Sequence, residues 1–216
     1  TYRARLRLGM QTDTGDITGT VLETAPVTAG EKELLAVLPR FLGPRMQTPP
    51  MYSAVKINGQ PLYKLAREGV TVERKARPIE ILDIRYGGSP AENEYVLTVR
   101  CSKGTYIRSL CRDMGEKLGC GAVMSGLTRT VSGAFSLERS LQPEEVKQMS
   151  PEEIEAYLLP VDYPLIHFGK CTMPKDRALY FASGNSIRWH QVTVTKEPQR
   201  ELSGRNSRQT AYNQMY

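Results

Sequence analysis

Arginine, lysine and tyrosine recur together in four short stretches of this sequence. The first is Tyr2, set among Arg3, Arg5 and Arg7. The second is Pro49-Pro50-Met51-Tyr52-Ser53-Ala54-Val55-Lys56-Ile57-Asn58-Gly59, followed by Leu62, Tyr63, Lys64 and Arg67. The third is Cys101-Ser102-Lys103-Gly104-Thr105-Tyr106-Ile107-Arg108, and the fourth is Leu127-Thr128-Arg129-Thr130 with Gly133 and Phe135. Cations of this kind neutralise phosphates without reading sequence. Aromatic faces stack on unpaired bases, the usual grip on looped RNA. The residues alone also admit a plainer reading. An alternating arginine face is ordinarily a solvated one, Tyr106 fits the apolar stripe of a helix, and Arg108 and Arg112 are one helical turn apart on an exposed face.

These stretches fall at the ends of elements that the residue pattern predicts. Residues 2–8 alternate strictly, with Tyr2, Ala4, Leu6 and Leu8 on one side and the arginines on the other, which is the period of a half-buried strand. Residues 11–16 carry turn chemistry and 18–24 return as a second strand. Thr28 is placed to cap a helix over 31–42, with Leu34, Leu35, Leu38 and Phe41 inward. Pro44, Pro49 and Pro50 exclude regular structure from 43–51. A short strand over 52–57 runs into the Asn58-Gly59 turn, and 62–68 form a brief helix ending at Gly69. Strands follow over 70–73, 79–86 and 95–102. From 105 to 118 the period becomes helical, with Tyr106, Ile107, Leu110, Cys111, Met114 and Leu118 in one stripe and Gly119 as the stop. A strand over 123–130 and a helix opened by Ser150-Pro151-Glu152-Glu153 complete the pattern. The expected fold is mixed α+β, largely antiparallel, with helices packed on one side of the sheet.

Composition bounds the rest. With 216 residues, 24.2 kDa, 40% hydrophobic and 24% charged residues, the chain has room for one large domain with a small appendage. Its net charge of +6 allows an anionic partner. No apolar run approaches the roughly 20 residues that cross a bilayer, and no apolar segment follows the first basic residues, so neither a membrane partner nor a secretory signal is expected. Cys101, Cys111, Cys120 and Cys171 form no CxxC pair, and the histidines are His167 and His190. That spacing offers no zinc site and suits the reducing cytoplasm, so no metal or redox cofactor is expected.

Several of the stretches are similar, in order and spacing, to the motifs of the TruB family of tRNA pseudouridine synthases. The similarity rests on Pro50-Met51-Tyr52-Ser53-Ala54 with Lys56, on Cys101 to Arg108, on Arg7-Leu8-Gly9, on Thr12-Asp13-Thr14 with Asp16, and on Leu127 with Arg129-Thr130. It covers roughly residues 1–165. The resemblance implies an enzyme that converts a uridine in the T loop of tRNA to pseudouridine, with neither cofactor nor metal. The target nucleotide is everted into a pocket, at a cost of about a few kcal/mol. An aspartate attacks the nucleoside, the glycosidic bond breaks, and the uracil turns and rejoins through carbon 5. By the same resemblance Tyr2 stacks on the everted base and is implicated in removing the carbon-5 proton. Arg108 pairs with the catalytic aspartate, fixing its direction and favouring its ionised form. Tyr106 and Leu127 line the uridine pocket, and Lys56, Lys64 and Arg67 hold phosphates of the T-arm stem-loop.

The family places its nucleophile in a Gly-x-Leu-Asp-Pro-x-Ala-x-Gly motif upstream of the residue matching Tyr2. None of the six aspartates here, at 13, 16, 83, 113, 162 and 176, has that context. Asp13 and Asp16 read instead as turn residues that cap their own backbone. The sequence therefore predicts a catalytic domain over 1–160 lacking its N-terminal portion, inactive alone and with its first strand short of a neighbour. It predicts a partial PUA-like RNA-binding segment over 161–195, a disordered tail over 196–216, and a monomer. The rival expectation is a non-catalytic module that keeps the grip on tRNA.

Overall fold

A computed structural model describes residues 1–196. They fall into two compact units divided between Ser132 and Gly133. In the first, strand β1 (Tyr2–Leu8) keeps the expected alternation: Ala4, Leu6 and Leu8 are buried while Arg3, Arg5 and Arg7 face outward. A short hairpin of β2 (Met10–Thr12) and β3 (Val21–Thr24) follows, then helix α1 (Glu31–Val37) and a 3-10 turn over Leu38–Phe41. The helix is capped by Gly30 rather than Thr28, with the Glu33 carboxylate accepting from the Gly30 N–H at 2.8 Å.

Residues 43–47, expected to be irregular, form β4 (Gly43–Gln47). It is an edge strand, where proline is tolerated because one side of the ladder needs no N–H. The expected strand over 52–57 contracts to β5 (Lys56–Ile57), which turns through Asn58 and Gly59 at positive φ into β6 (Gln60–Pro61). Helix α2 (Leu62–Arg67) follows, and 70–73 is irregular rather than extended. The remaining elements of this unit are β7 (Arg77–Tyr86), β8 (Glu94–Cys101), α3 (Ile107–Lys117), β9 (Ala122–Arg129) and β10 (Val131–Ser132).

The main sheet runs β4-β7-β8-β1-β9, with every neighbouring pair antiparallel. β1 thus has a partner on each side, and the expectation that it lacks one is corrected. Both its neighbours come from later in the chain, which no local pattern reveals. One face of the sheet carries the core. Ala4, Leu6, Leu8, Ile79, Ile81, Leu97 and Val99 pack there against Leu34 and Val37 of α1 and Ile107, Leu110, Cys111 and Met114 of α3. Burial of each large side chain contributes about 1.5–3 kcal/mol. Helix α3 comes so near β9 that a Cβ on Gly115 would lie 2.2 Å from the Ala122 nitrogen.

The second unit holds β11 (Phe135–Ser136), α4 (Pro143–Val146), α5 (Pro151–Tyr157), β12 (Lys170–Thr172), α6 (Lys175–Ala182) and β13 (Thr193–Lys196). Helix α5 has its expected cap, the Ser150 hydroxyl accepting from the Glu153 N–H at 3.2 Å. β12 and β13 pair antiparallel. Of the expected tail, Lys196 closes β13 and 197–216 lie outside the described residues. No described helix is long and apolar enough to cross a membrane.

Candidate nucleic-acid site

The loop between β8 and α3 is shaped by local chemistry. Gly104 takes φ +83, and the Thr105 hydroxyl donates to the Ser102 carbonyl at 2.9 Å. Tyr106 then stands extended at the helix N-cap. Its N–H donates to Gln47 Oε1 at 2.8 Å, and Gln47 Nε2 donates back to its carbonyl at 3.1 Å. Gln47 is only 3% exposed, and both ends of its amide are satisfied by one residue. One turn on, the buried Ser109 hydroxyl donates to the Thr48 carbonyl at 3.3 Å. The start of α3 is therefore stitched to the end of β4.

This stitching aims Arg108 sideways into two loops. Its Nη1 donates to the Thr14 carbonyl at 3.2 Å and its Nη2 to the Tyr52 carbonyl at 2.6 Å. A guanidinium carries five N–H donors, so about three remain without a partner among the described residues. The turn that holds Thr14 is itself fixed. Asp16 Oδ1 accepts from the Thr18 N–H at 3.0 Å and hydroxyl at 2.7 Å, and Asp13 Oδ1 accepts from the Thr20 N–H at 2.8 Å. Asp13 Oδ2 also accepts from the Tyr52 hydroxyl at 3.4 Å, joining the two loops a second time. Asp13 and Asp16 thus brace the turn, as the turn reading expects, and neither pairs with Arg108.

Tyr2 lies on the same face of the sheet as α3 and packs against the core there. It stands opposite Val99 on one side and Arg129 on the other, at the end of β1 away from Leu8. Gly115 of α3 meets Ala122, which is the partner of Leu8, so the helix runs from the Tyr2 end toward the Leu8 end. Its 11 residues span about 16 Å, close to the roughly 20 Å of β1. Arg108, seven residues before Gly115, lies about 10 Å nearer the Tyr2 end, beside Gly15, whose carbonyl accepts from the Met124 N–H at 3.0 Å. Leu127 joins them: it is the partner of Ala4 on that face, yet it is 45% exposed, because α3 covers only the Ala122–Met124 half of β9. Tyr2 and Leu127 thus share one open end of the inner face, and the start of α3 brings Arg108, with donors to spare, part of the way toward it.

Lys56, Lys64 and Arg67 sit apart from this group, exposed on the β5–β6 hairpin and α2. The Arg67 guanidinium lies 5.6 Å from the Tyr63 ring centroid. The hairpin and helix are tied to the same loop as Arg108: the Tyr63 N–H donates to the Ser53 carbonyl at 3.0 Å, one residue beyond the carbonyl that Arg108 holds. Gln47, Thr14 and Tyr52 were not singled out as site residues by the sequence. Two of them act through backbone carbonyls, and Gln47 is one glutamine among several. No cluster of His, Cys, Asp and Glu able to hold a metal occurs among the described residues. Burial pushes the Cys111 thiol up to about 12, so it is no nucleophile.

Comparison with known proteins gives the family. Residues 1–107 match the model of the TruB family pseudouridylate synthase N-terminal domain, and 108–166 match that of the tRNA pseudouridylate synthase B C-terminal domain. The chain is 45% identical to tRNA pseudouridine synthase B of Alkaliphilus oremlandii over 86% of its length, covering 61% of that protein. It is 43% identical to the protein of the same name from Methylobacillus flagellatus, again over 86% of this chain and 61% of that one. It therefore spans about three fifths of the length of these relatives. Among solved structures, a Cbf5-Nop10-Gar1 complex matches with a TM-score of 0.59 at 24% identity, over 86% of this chain and 48% of that one. An H/ACA RNP bound to a substrate RNA containing 2'-deoxyuridine matches with a TM-score of 0.60 at 18% identity, over 89% and 50%. These two share the fold. With both family models matched end to end over residues 1–166, the chain belongs to the TruB family of pseudouridylate synthases.

Proposed function

We propose that the whole protein isomerises a T-loop uridine of tRNA to pseudouridine, and that this chain supplies the pocket and the RNA grip. The observation that supports the reading is Arg108, held between the Thr14 and Tyr52 carbonyls with donors to spare, on the helix that runs toward the end of the inner face carrying Tyr2 and Leu127. In this role the Tyr2 ring stacks on an everted uracil, Leu127 and Tyr106 bound the pocket, and the spare donors of Arg108 orient the attacking carboxylate. Lys56, Lys64 and Arg67 contact phosphates of the T arm. Residues 161–195 serve as a partial RNA-binding, PUA-like segment, and the protein works in the cytoplasm as a monomer. The carboxylate must come from a Gly-x-Leu-Asp-Pro motif, which the 216 residues do not contain. Alone, the chain binds and does not turn over.

The test pairs two RNAs with two proteins. The chain joined to a segment bearing the aspartate motif should convert the T-loop uridine of a tRNA transcript, and should leave a transcript with cytidine at that position unchanged. Residues 1–216 alone should bind both and modify neither. Absence of conversion by the joined protein would overturn the reading. It would favour the non-catalytic tRNA-binding module.

A further inference from the structure

The opposite face of the main sheet is unused by the pocket. Arg3, Arg5 and Arg7 of β1 point there, as does exposed Arg100 of β8, which alternates with the core residues Val99 and Cys101. Register brings these groups together. Arg3 stands between Thr98 and Thr128, and Thr98 is in turn opposite Arg85 of β7. Arg5 follows two residues along β1, its stem lying over Gly126, where a Cβ would come within 3.2 Å of its Cδ. By strand geometry Arg3 and Arg5 are about 7 Å apart, and Arg3 and Arg100, as diagonal neighbours, about 7–8 Å.

The acids on this face have other partners or stand apart from Arg3 and Arg5. Asp83, opposite Arg100 in register, pairs with Arg85 at 2.7 Å, Glu94, opposite Arg7, accepts from the Ser125 hydroxyl, and Glu80 lies in β7 next to the β4 edge. Arg3, Arg5 and Arg100 make no ion pair within 4 Å among the described residues, although Asp83 stands opposite Arg100. Arg3 lies within one Debye length of about 8–10 Å of both Arg5 and Arg100, so it is repelled by each. Neighbouring like charges on a sheet destabilise it. A solvated face normally mixes both signs. Here the arginines at 3, 5, 7, 85 and 100 outnumber the acids at 80, 83 and 94, and Arg3 is flanked by two threonines, which suits a polyanion backbone.

We propose that the arginine face of the sheet is a second contact for RNA phosphates, on the side opposite the Arg108–Tyr2 pocket. The proposal rests on the RNA-modifying reading and extends its footprint to both faces. The experiment measures binding of a labelled T-arm hairpin by the chain across a salt series, for the parent, for Arg3→Gln/Arg5→Gln/Arg100→Gln, and for Lys64→Gln/Arg67→Gln. Loss of about three phosphate contacts should reduce the slope of log affinity against log salt by about 2 to 3 in the triple variant. Because repulsion is removed, its thermal stability at low salt should hold or rise, whereas arginines serving only the fold would make it fall. An unchanged salt slope in the triple variant, with a reduced one in Lys64→Gln/Arg67→Gln, would overturn the second contact and leave the proposed function intact. Loss of binding to poly-glutamate with RNA binding unaltered would overturn it in favour of an acidic protein partner. Failure of uridine conversion by the joined protein, with the reduced slope still seen, would remove the enzymatic reading alone.

Discussion

At the scale of single residues, the site depends on side chains that bind backbone. Gln47 holds both the N–H and the carbonyl of Tyr106, and in its absence the N–H loses its partner while the carbonyl keeps the Leu110 N–H at 3.1 Å. Each unmet group costs about 1–3 kcal/mol. Gln47→Ala should therefore destabilise the chain by about 1–3 kcal/mol in urea unfolding, and should weaken turnover in the joined enzyme by freeing the start of α3. Cys111 gives a second check. Its thiol is buried and raised to about 12, so at pH 8 it should resist maleimide in the native state and label only on unfolding. The sequence disclosed the site residues through motif resemblance rather than through physics. Composition could not separate Arg108 from Arg112, one turn away. What separates them is where they reach: Arg108 into two carbonyls, Arg112 into neighbouring Asp113 at 3.0 Å. Such partners are set by loops distant in the chain, which local patterns do not encode.

At the scale of elements, close approach and end-to-end ties hold the site's walls. A methyl group on Gly115 would collide with the backbone of β9, so Gly115→Ala should cost about 1–3 kcal/mol despite its better helix propensity. The end of β7 is tied to α1 by the Tyr86 hydroxyl, which donates to Glu31 at 2.7 Å. That bond raises the phenol to about 12 from an ordinary value near 10. Below pH 10 both folded and unfolded chains keep the proton and the bond contributes in full. Between about 10 and 12 the unfolded phenol ionises first, so stability falls as pH rises. Tyr86→Phe should lose stability at pH 8 yet show a flatter decline toward pH 12, read from denaturant midpoints. Strict alternation made β1 legible, and the apolar stripe made α3 legible to within two residues at either end. The segments read wrongly were those whose partners decide their form. Pro44 argued for a loop until the edge position of β4 removed the penalty. Tyr52 and Ser53 have strand-like residue types, but their carbonyls are taken by Arg108 and Tyr63 rather than by a ladder.

At the scale of the whole molecule, burial is uneven. Every buried residue among those described, from Ala4 to Met124, belongs to the first unit. The second unit has capped helices and a paired ribbon, yet Leu158, Val161, Leu165 and Leu179 are exposed. Amide hydrogen exchange should therefore show protection concentrated in β1, β8, β9 and α3, with faster exchange over 133–196. The division was not legible in the sequence, where the clearest change of composition falls near residue 160. The central claim is that Arg108 serves the reaction rather than the grip. It is tested most directly in the protein joined to the aspartate segment, by tritium release from tRNA labelled at uridine carbon 5, measured beside tRNA affinity. Arg108→Ala should reduce release by about 1000-fold or more, equivalent to roughly 4 kcal/mol, with affinity changed less than about threefold. Release at the parent rate, or a loss of release matched by an equal loss of affinity, would contradict the account.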